Sequence, residues 1–392
     1  MSKKKIAILM ASTGGGHRSA AEAISEGFAQ LYDDCEVDIV DIWSDHIPFP
    51  LNRIGRLYGK LVKYGLWETV WDASNDPRRI ACALSTMWPF VDEAMQDFFK
   101  LTKPDAVIVV HPLFNHFSAW ALRGLELSVP LITVVTDLVT THPGWICSAA
   151  DLCLVPTEQS RQYVLNGGLR PEQVKVTGLP VSLKFLNNAY DKTQARTELG
   201  LGAGLPAVLL VGGGEGMGPV YKISRTVAAA RPHGQMMIVA GRNERLKRRL
   251  ERVDWEIPTK VFGFVTNMPE LMAAADIIVT KAGPSTISEA FISGLPIVLS
   301  GFIPGQEEGN VDYVLKSGAG FLAQGCDEIC RLVVDLFRPE NTTLTQMAGA
   351  SKQRGHPRAA LDIAAEVYHL LTAGHASRVS PQTSDVLRAS KI

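Results

Sequence analysis

The sequence places a cluster of glycines directly after a short buried strand at two points. Lys5 to Ala11 is predicted as a strand that runs into Gly14 to Gly16, and Pro206 to Val211 as a strand that runs into Gly212 to Gly218. Glycines there let backbone amides approach a ligand closely at the carboxyl end of a parallel strand. Two such units predict an α/β chain with two sheets whose crevices face each other across a cleft.

The length agrees with two cores rather than one. The chain has 392 residues, of which 46% are hydrophobic and 20% charged, as in a globular protein. Gly178, Leu179 and Pro180 are interpreted as a hinge because a new strand pattern begins after them. The predicted division is an N-terminal domain over 1–179, a C-terminal domain over 180–355, a helix over 356–375 and a mobile tail over 376–392.

The composition limits which partners and which cellular compartment are expected for this chain. The formal net charge of -1 argues against a nucleic-acid partner. The six cysteines form no C-x-x-C pair and no metal-ligand spacing, which favours a cytoplasmic protein with reduced thiols. No apolar run approaches the roughly 20 residues that span a bilayer, so membrane contact is expected to be peripheral.

The stretch from Ile277 to Asn310 has the pattern of a nucleotide-sugar site. A buried strand breaks at Lys281 to Pro284, and Ser285 or Thr286 is predicted to cap the next helix, whose start would hold a phosphate. Glu289, one turn later, is placed to accept hydrogen bonds from ribose hydroxyls. Gln306, Glu307 and Asn310 supply acceptors for sugar hydroxyls. An ordinary strand, turn and helix with a solvated Glu289 remains the alternative.

His17 leaves the first glycine loop, which matches neither G-x-G-x-x-G nor G-x-x-x-x-G-K-[ST]. A histidine at this position can face the crevice and act as a general base. A structural histidine that caps the turn is the alternative. Polar groups also follow the next predicted strands, namely His111, His116, Asp137, His142 and Trp145. They are interpreted as crevice lining, with metal binding by the histidines as the alternative.

Between Asp45 and Glu68 the chain carries no acidic residue. Basic and apolar side chains recur there at helical spacing, which is typical of an amphipathic segment on an anionic membrane. Each basic group near such a surface adds about 1 kcal/mol of binding. A helix with an ordinary solvated face is the alternative. The basic residues are Arg53, Arg56, Lys60 and Lys63, and Trp67 and Trp71 follow them.

Five motifs, in this order, carry a resemblance to a known family: STGGGHRSAAEAI, GGGEGMGP, GFVTNM, KAGPSTISEA and IPGQEEGNVDYV. Together they resemble the monogalactosyldiacylglycerol synthases and their bacterial relatives, the diacylglycerol glucosyltransferases. The resemblance implies a GT-B fold of two Rossmann-like domains. It also implies inverting transfer of a hexose, galactose being favoured, from a UDP-sugar to the 3-hydroxyl of 1,2-diacylglycerol at an anionic membrane surface.

The resemblance also implies roles for residues that match the motifs. His17 is the implied catalytic base, Glu289 the ribose ligand, Val265 the backbone that meets uracil, and Gln306, Glu307 and Asn310 the residues near the hexose. The diphosphate is implied to lie on Gly213, Gly214, Glu215, Gly216, Gly283, Pro284, Ser285 and Thr286. The acceptor and membrane side is implied to include Gly15, Gly16, Arg53, Arg56, Lys60, Lys63, Trp67, His111 and Asp137. Ser285 departs from the GPGT of plant members.

Other functions fit parts of the pattern. A UDP-glucose donor would make the chain a diacylglycerol glucosyltransferase, and a UDP-sugar 2-epimerase shares the architecture but lacks a lipid acceptor. A nucleotide-sugar sensor is a non-enzymatic alternative. The sequence has no D-x-D motif, so neither a tightly bound metal nor a cofactor is expected beyond the UDP-sugar donor. The expected location is the cytoplasm, with peripheral attachment to the membrane.

Overall fold

The structure is a computed structural model that describes residues 3–12, 15–47, 52, 61–62, 64–187 and 190–373. Its core is two six-stranded sheets, every strand pair of which is parallel. The strand order is β2-β1-β3-β4-β5-β6 in the first sheet and β12-β11-β10-β7-β8-β9 in the second. The predicted α/β architecture with two sheets is confirmed.

The first sheet contains β1 (Lys4–Met10), β2 (Cys35–Asp41), β3 (Ala106–Val109), β4 (Leu131–Val134), β5 (Leu152–Val155) and β6 (Val174–Val176). The second contains β7 (Ala207–Val211), β8 (Gln235–Val239), β9 (Thr259–Phe262), β10 (Ile277–Thr280), β11 (Ile297–Leu299) and β12 (Gly320–Leu322).

The described helices that precede the second sheet are α1 (Gly16–Leu31), α2 (Ile42–Asp45), α3 (Trp67–Ser74), α4 (Pro77–Thr102), α5 (Pro112–Gly124), α6 (Glu158–Asn166), α7 (Lys184–Asn187) and α8 (Lys192–Glu198). Those that follow β7 are α9 (Val220–Ala229), α10 (Glu244–Glu251), α11 (Met268–Ala274), α12 (Pro284–Ile292), α13 (Glu308–Ser317), α14 (Cys326–Leu336), α15 (Thr343–Gln353) and α16 (Ala359–Thr372). Short 3₁₀ turns are formed by Pro143–Trp145 and Pro171–Gln173.

The central strands are buried on both faces because helices cover each sheet on two sides. All four residues of β3 and of β10 are buried, and each sheet has one large apolar cluster above it and another below it. Continuous runs of valine, isoleucine and leucine therefore mark these strands in the sequence. The predicted strands agree with the observed ones to within about two residues at each end.

One local prediction is wrong. Neither Ser285 nor Thr286 caps α12, because Gly283 is the N-cap and Pro284 takes the first helical position, where its missing N–H costs nothing. Helix α1 begins at Gly16, within the first run of glycines. Strand β2 ends at Asp41, since the Asp41 carboxylate accepts a hydrogen bond from the backbone N–H of Ser44 and caps α2.

The chain returns to the first sheet at its C-terminal end. Helix α16 packs on α1, and a Cβ atom placed on Gly27 would lie 2.5 Å from the carbonyl oxygen of Ala360. The rings of Tyr32 and Tyr368 stack with centroids 3.7 Å apart. The last described helix is therefore part of the first half by packing, while the proposed domain boundaries themselves stay a prediction.

Two predicted segments lie outside the described residues, namely the tail over 376–392 and the basic residues Arg53, Arg56, Lys60 and Lys63. Among the helices that are described, none combines the length and the apolarity needed to cross a bilayer.

Candidate functional site

The loops at the carboxyl ends of the two sheets meet across a cleft. A Cβ atom placed on Gly16 would lie 3.5 Å from Oγ of Ser285. The backbone N–H of Gly309 donates a 3.0 Å hydrogen bond to Oγ1 of Thr140. A Cβ atom placed on Gly213 would lie 3.9 Å from Cε of Lys281. Both glycine loops therefore border the Ile277 to Asn310 stretch.

His17 is held in the first turn of α1 by two groups of the first sheet. Its Nδ1 lies 2.7 Å from the carbonyl oxygen of Val110 and 3.0 Å from Oγ1 of Thr136. A carbonyl oxygen only accepts, so Nδ1 carries the proton and Nε2 is left with its lone pair. Burial lowers the pKa of His17 to about 4, with the Val110 bond as a smaller opposing influence. The ring is therefore neutral at pH 7, with Nε2 as a proton acceptor.

Aromatic rings surround His17. The His111 ring meets it edge to face at 4.7 Å, and the Trp145 ring lies 6.5 Å away, both measured between centroids. His111 Nδ1 accepts the backbone N–H of Leu113 at 3.4 Å and so caps α5. Burial, with smaller contributions from neighbouring His17 and His142, lowers the pKa of His111 well below its usual value. Two neutral imidazoles thus lie side by side at this end of the sheet.

Asp137 follows β4 and lines the same side of the cleft. Its Oδ2 accepts hydrogen bonds from Nε1 of Trp145 at 2.7 Å and from the backbone N–H of His142 at 3.3 Å. Burial raises the pKa of Asp137 to about 6; these two hydrogen bonds oppose the shift and the charge of Glu307 adds to it. The loop that carries Asp137 meets the turn that carries Glu307 close by, through the hydrogen bond from Gly309 to Thr140.

The glycine loop after β7 has a backbone that side chains would not permit. Gly213 and Gly216 have positive φ angles of 71° and 58°, and a Cβ atom on Gly216 would lie 2.0 Å from the carbonyl oxygen of Ala240. The exposed Glu215 pairs with Arg242 at 3.0 Å, and this guanidinium lies 4.0 Å from the centroid of the Phe264 ring. The Glu215 carboxylate is thus paired with an arginine at the rim of the loop.

Lys281 lies just before α12 and carries a positive charge. It is not among the candidate site residues predicted from the sequence. Its Nζ lies 2.5 Å from Oε1 of Glu307, and a Cβ atom on Gly283 would lie 3.2 Å from that Nζ. The first backbone N–H groups of α12, from Ser285 and Thr286, have no carbonyl partner within the helix. A positive charge and free helical amides therefore meet at this turn. The signal in the sequence was the single charged residue between β10 and α12.

Glu289 lies one turn into α12 and carries a strongly shifted carboxyl group. Burial raises the pKa of Glu289 to about 8. No hydrogen bond or ion pair to this carboxyl group is present among the residues that the structure describes. A partly buried acceptor pair of this kind is suited to two neighbouring hydroxyls of a ligand.

Glu307 and Asn310 hold the turn that precedes α12. Glu307 is 3% exposed, and besides Lys281 it accepts the backbone N–H of Ile303 at 2.9 Å. The side-chain amide of Asn310 donates to the carbonyl oxygen of Ala282 at 2.9 Å, while its Oδ1 is buried without a partner in the described part of the chain. Both side chains support the site, and their direct contact with a hexose stays a prediction.

Gln306 faces the opposite half of the molecule. Its Oε1 accepts a 2.9 Å hydrogen bond from Nε1 of Trp67 on α3.

Val265 follows β9 and is partly buried against the core of the second half, whereas its neighbour Phe264 is exposed beside Arg242. The sequence pattern gave no indication of Phe264, because a single aromatic residue after a strand is not distinctive. In the described ranges, no group of three His, Cys, Asp or Glu side chains is arranged to hold a metal ion.

Solved structures share this architecture. MurG of Acinetobacter baumannii aligns with a TM-score of 0.62 at 18% identity, over 93% of this chain and 99% of that one. Anabaena Alr3699/HepE in complex with UDP and glucose aligns with a TM-score of 0.55 at 17% identity, over 94% of this chain and 100% of that one. The two facing sheets and their glycine loops define a protein of the GT-B class.

Sequence comparison identifies the family. Residues 17–181 match the model of monogalactosyldiacylglycerol (MGDG) synthase, and residues 207–360 match that of the glycosyltransferase family 28 C-terminal domain. Monogalactosyldiacylglycerol synthase 1 of Arabidopsis thaliana is 42% identical over 94% of this chain and 71% of its own length. The enzyme of Spinacia oleracea is 40% identical over 94% of this chain and 73% of its own length. The chain belongs to the monogalactosyldiacylglycerol synthase family.

Proposed function

We propose that this protein is an inverting glycosyltransferase that moves a hexose, galactose being favoured, from a UDP-sugar to the 3-hydroxyl of 1,2-diacylglycerol. The product is a β-glycosyldiacylglycerol. One observation carries the proposal: the neutral His17 imidazole lies at the edge of the first sheet, and the Lys281 and α12 amide cluster faces it from the second. A base and a diphosphate site on opposite walls are what inversion requires.

The donor is bound by the second half. The diphosphate lies against the backbone amides of Gly213 to Gly216 and of Ser285 and Thr286, because a helix start and a glycine turn both attract anions. The Lys281 ammonium lies beside the same turn and adds a positive charge. Glu289 accepts the two ribose hydroxyls, and Val265 meets uracil through its backbone.

The acceptor is activated by the first half. Nε2 of His17 takes the proton of the diacylglycerol hydroxyl as the oxygen attacks the anomeric carbon from the face opposite UDP. A positioned base of this kind contributes about 10²–10⁴-fold to the rate. The developing charge on the UDP leaving group is stabilised by Lys281 and the α12 amides, which are oriented before the reaction begins.

The acceptor reaches the cleft from a membrane surface. Leu66 and Val70, at the start of α3, are 54% and 38% exposed, and they follow the basic stretch that contains Arg53, Arg56, Lys60 and Lys63. Apolar and cationic groups together favour an anionic bilayer. Reversal of these four charges is expected to reduce the fraction of protein that sediments with anionic vesicles. Reversal of Arg245 and Arg248 on α10, compared with reversal of Arg53 and Arg56 alone, is the control with an equal change of charge, and an equal loss in these two variants would contradict the assignment.

The decisive experiment supplies the protein with diacylglycerol in anionic vesicles and either UDP-galactose or UDP-glucose. The expected product is a glycolipid with one β-linked hexose, formed faster from UDP-galactose, and identified by mass spectrometry and NMR. A glucolipid alone would assign the glucosyltransferase function. Free epimerised sugar nucleotide without any glycolipid would refute the proposal in favour of an epimerase.

A further inference from the structure

Helix α13 begins without a side-chain cap from its own N-cap residue. Glu307 occupies the N-cap position, but its carboxylate binds Lys281 and the backbone N–H of Ile303 instead. The first N–H groups of a helix have no carbonyl partner within that helix and need an acceptor from elsewhere. The start of α13 therefore depends on an acceptor outside the helix.

Thr140, in the loop after β4, supplies this acceptor from the first half of the molecule. Its Oγ1 accepts the backbone N–H of Gly309 at 3.0 Å, and Gly309 is the second residue of α13, where an N-cap side chain normally accepts. A Cβ atom on Gly309 would lie 2.5 Å from this Oγ1 and 2.9 Å from Cγ1 of Val139. The two chains approach this closely because position 309 has no side chain. Thr140 thus caps, from across the cleft, a helix that belongs to the second half.

Leu138, two residues before Thr140, enters the core of the second half. It is 4% exposed and belongs to an apolar cluster whose other buried members come from residues 195–319. It lines a small cavity together with Phe291 of α12 and Tyr313 of α13, whose rings meet edge to face. The Leu138 side chain is therefore seated where α12 and α13 lie together.

The backbone at Leu138 is nevertheless fixed to the first half. The carbonyl oxygen of Leu138 accepts the hydroxyl group of Thr157 at 2.8 Å and that of Ser160 at 3.1 Å. Both hydroxyl-bearing residues are buried, and Thr157 is the N-cap of α6. The main chain of this loop thus moves with the first sheet, while the Leu138 side chain lies in the core of the other half.

The same loop also contacts His17. Oγ1 of Thr136 lies 3.0 Å from Nδ1 of His17. The four peptide units from Thr136 to Thr140 span at most about 14 Å. Because the backbone between them is fixed at Leu138, any change in how this segment meets the second half changes the distance from His17 to α12 and α13.

We propose that Thr140 and Leu138 are positioning residues that dock the first half on α12 and α13 and thereby set the distance between His17 and the donor. This inference rests on the proposed function, in which His17 is the base and the start of α12 binds the diphosphate. A displacement of about 1 Å between reacting groups can lower a rate by about 100-fold. The contact therefore contributes to kcat, whereas UDP binding involves the second half.

Gly309→Ala tests the spacing because its methyl group meets Thr140 and Val139. The value of kcat is expected to fall by about 10- to 100-fold, while the Kd of UDP in calorimetry changes little. Alanine favours a helix more than glycine does, so poorer helix formation cannot cause this loss. Gly349→Ala, at a helical glycine of the second half with nothing within 4 Å, is the matched control and should retain kcat. A Gly309→Ala protein with the wild-type kcat would overturn the inference.

Two substitutions of Thr140 separate the hydrogen bond from packing. Thr140→Val keeps the shape and removes the acceptor, so kcat should fall by about 3- to 10-fold. Thr140→Ser keeps the hydroxyl group and should retain kcat. In a Gly309→Ala background, Thr140→Val should have little further effect, because the hydrogen bond is already lost. Equal losses of kcat in the valine and serine variants would overturn the capping role.

A distance measurement distinguishes a failure of the inference from a failure of the proposed function. Spin labels are attached to the exposed Cys82 on α4 and to Lys316→Cys on α13, with Cys35 and Cys326 changed to serine. Pulsed electron paramagnetic resonance should show a shifted or broader label distance in Gly309→Ala and the wild-type distance in Gly349→Ala. This result supports the spacing role even if the wild-type protein forms no glycolipid, in which case only the transferase assignment fails. An unchanged label distance in Gly309→Ala would overturn the inference whether or not glycolipid forms.

Discussion

The Nδ1 atom of His17 lies 2.7 Å from the carbonyl oxygen of Val110, and this contact leaves Nε2 as the basic atom of the ring. In the proposed mechanism His17 is the base for the acceptor hydroxyl, so His17→Ala is expected to lower kcat by about 10²–10⁴-fold. The dissociation constant of UDP should change little, since the proposed nucleotide site lies in the other half. Steady-state kinetics and calorimetry check the two statements. Normal turnover in His17→Ala would remove His17 from the mechanism.

The pH dependence of turnover tests the protonation state of His17. Burial lowers the pKa of His17 to about 4, so the base loses its proton-accepting form only as the pH falls through about 4. Burial raises the pKa of Asp137 to about 6, so this carboxyl group would also titrate in the pH range of the measurement. The substitution Asp137→Asn removes it. In this variant, kcat at saturating donor should be constant between pH 5.5 and pH 7.5. A half-maximal point near pH 6.5 would indicate a solvated histidine instead.

Glu289 predicts a pH-dependent affinity for the donor. Its pKa is raised to about 8 in the unliganded protein, and ribose hydroxyls donate to the ionised form, so binding favours loss of the proton. The affinity for a UDP-hexose should therefore rise from pH 7 to pH 8, by at most about tenfold per pH unit, and level off above pH 8. Glu289→Gln should bind more weakly and with no such slope. Calorimetry in buffers of different ionisation enthalpy detects the released proton, and an affinity that falls with rising pH would contradict the ribose role.

Loss of the Lys281 ammonium should affect both stability and nucleotide binding. Lys281→Met leaves the buried Glu307 carboxylate without its cation, and since Lys281 is 33% exposed the expected loss is about 1–3 kcal/mol. The affinity for UDP should fall about tenfold or more. Lys316→Met removes an exposed helical pair with Asp312 and is the control, with a loss below about 0.5 kcal/mol. Adding Glu307→Gln to Lys281→Met should restore thermal stability but not UDP affinity; recovery of both would exclude a phosphate role for Lys281.

Replacement of glycine by alanine should have opposite effects on stability at Gly27, which is packed against α16, and at Gly349, where an added methyl group meets no other residue. Gly27→Ala places a methyl group 2.5 Å from the carbonyl oxygen of Ala360 and should destabilise the protein by about 1–3 kcal/mol. At Gly349, in α15, nothing lies within 4 Å, and Gly349→Ala should stabilise by about 1 kcal/mol through helix propensity. Thermal denaturation measures both. A stable Gly27→Ala protein would mean that α16 does not pack closely on α1.

The strands and the glycine loops were predictable because their signals are local. A run such as Ile277 to Thr280 is continuous, apolar and bounded by breakers, which identifies a buried parallel strand. Some positions, such as that of Gly216, can be occupied only by glycine, and they mark the turns where a ligand can approach the backbone. The prediction failed at the start of α12, where Pro284 at the first helical position makes Gly283 the cap.

The contacts that organise the cleft were not predictable, because they join distant residues. Lys281 and Glu307 are 26 positions apart, and Trp67 and Gln306 are 239 apart. No periodicity or spacing records how the halves close on each other. His17 shows both a local and a distant signal. The glycine loop next to it predicts that it faces the crevice, whereas the choice of Nε2 as the basic atom depends on Val110, 93 positions away.

Gly178 and His356 lie on the two segments through which the chain passes from one sheet to the other and back. A Cβ atom on Gly178 would lie 2.4 Å from Cβ of His356, so the two crossings touch. Gly178 also has a φ of 90°, which L side chains rarely adopt. A larger residue at position 178 would therefore strain the backbone and push the two crossings apart, so the spacing of the two sheets depends on a single position that has no side chain.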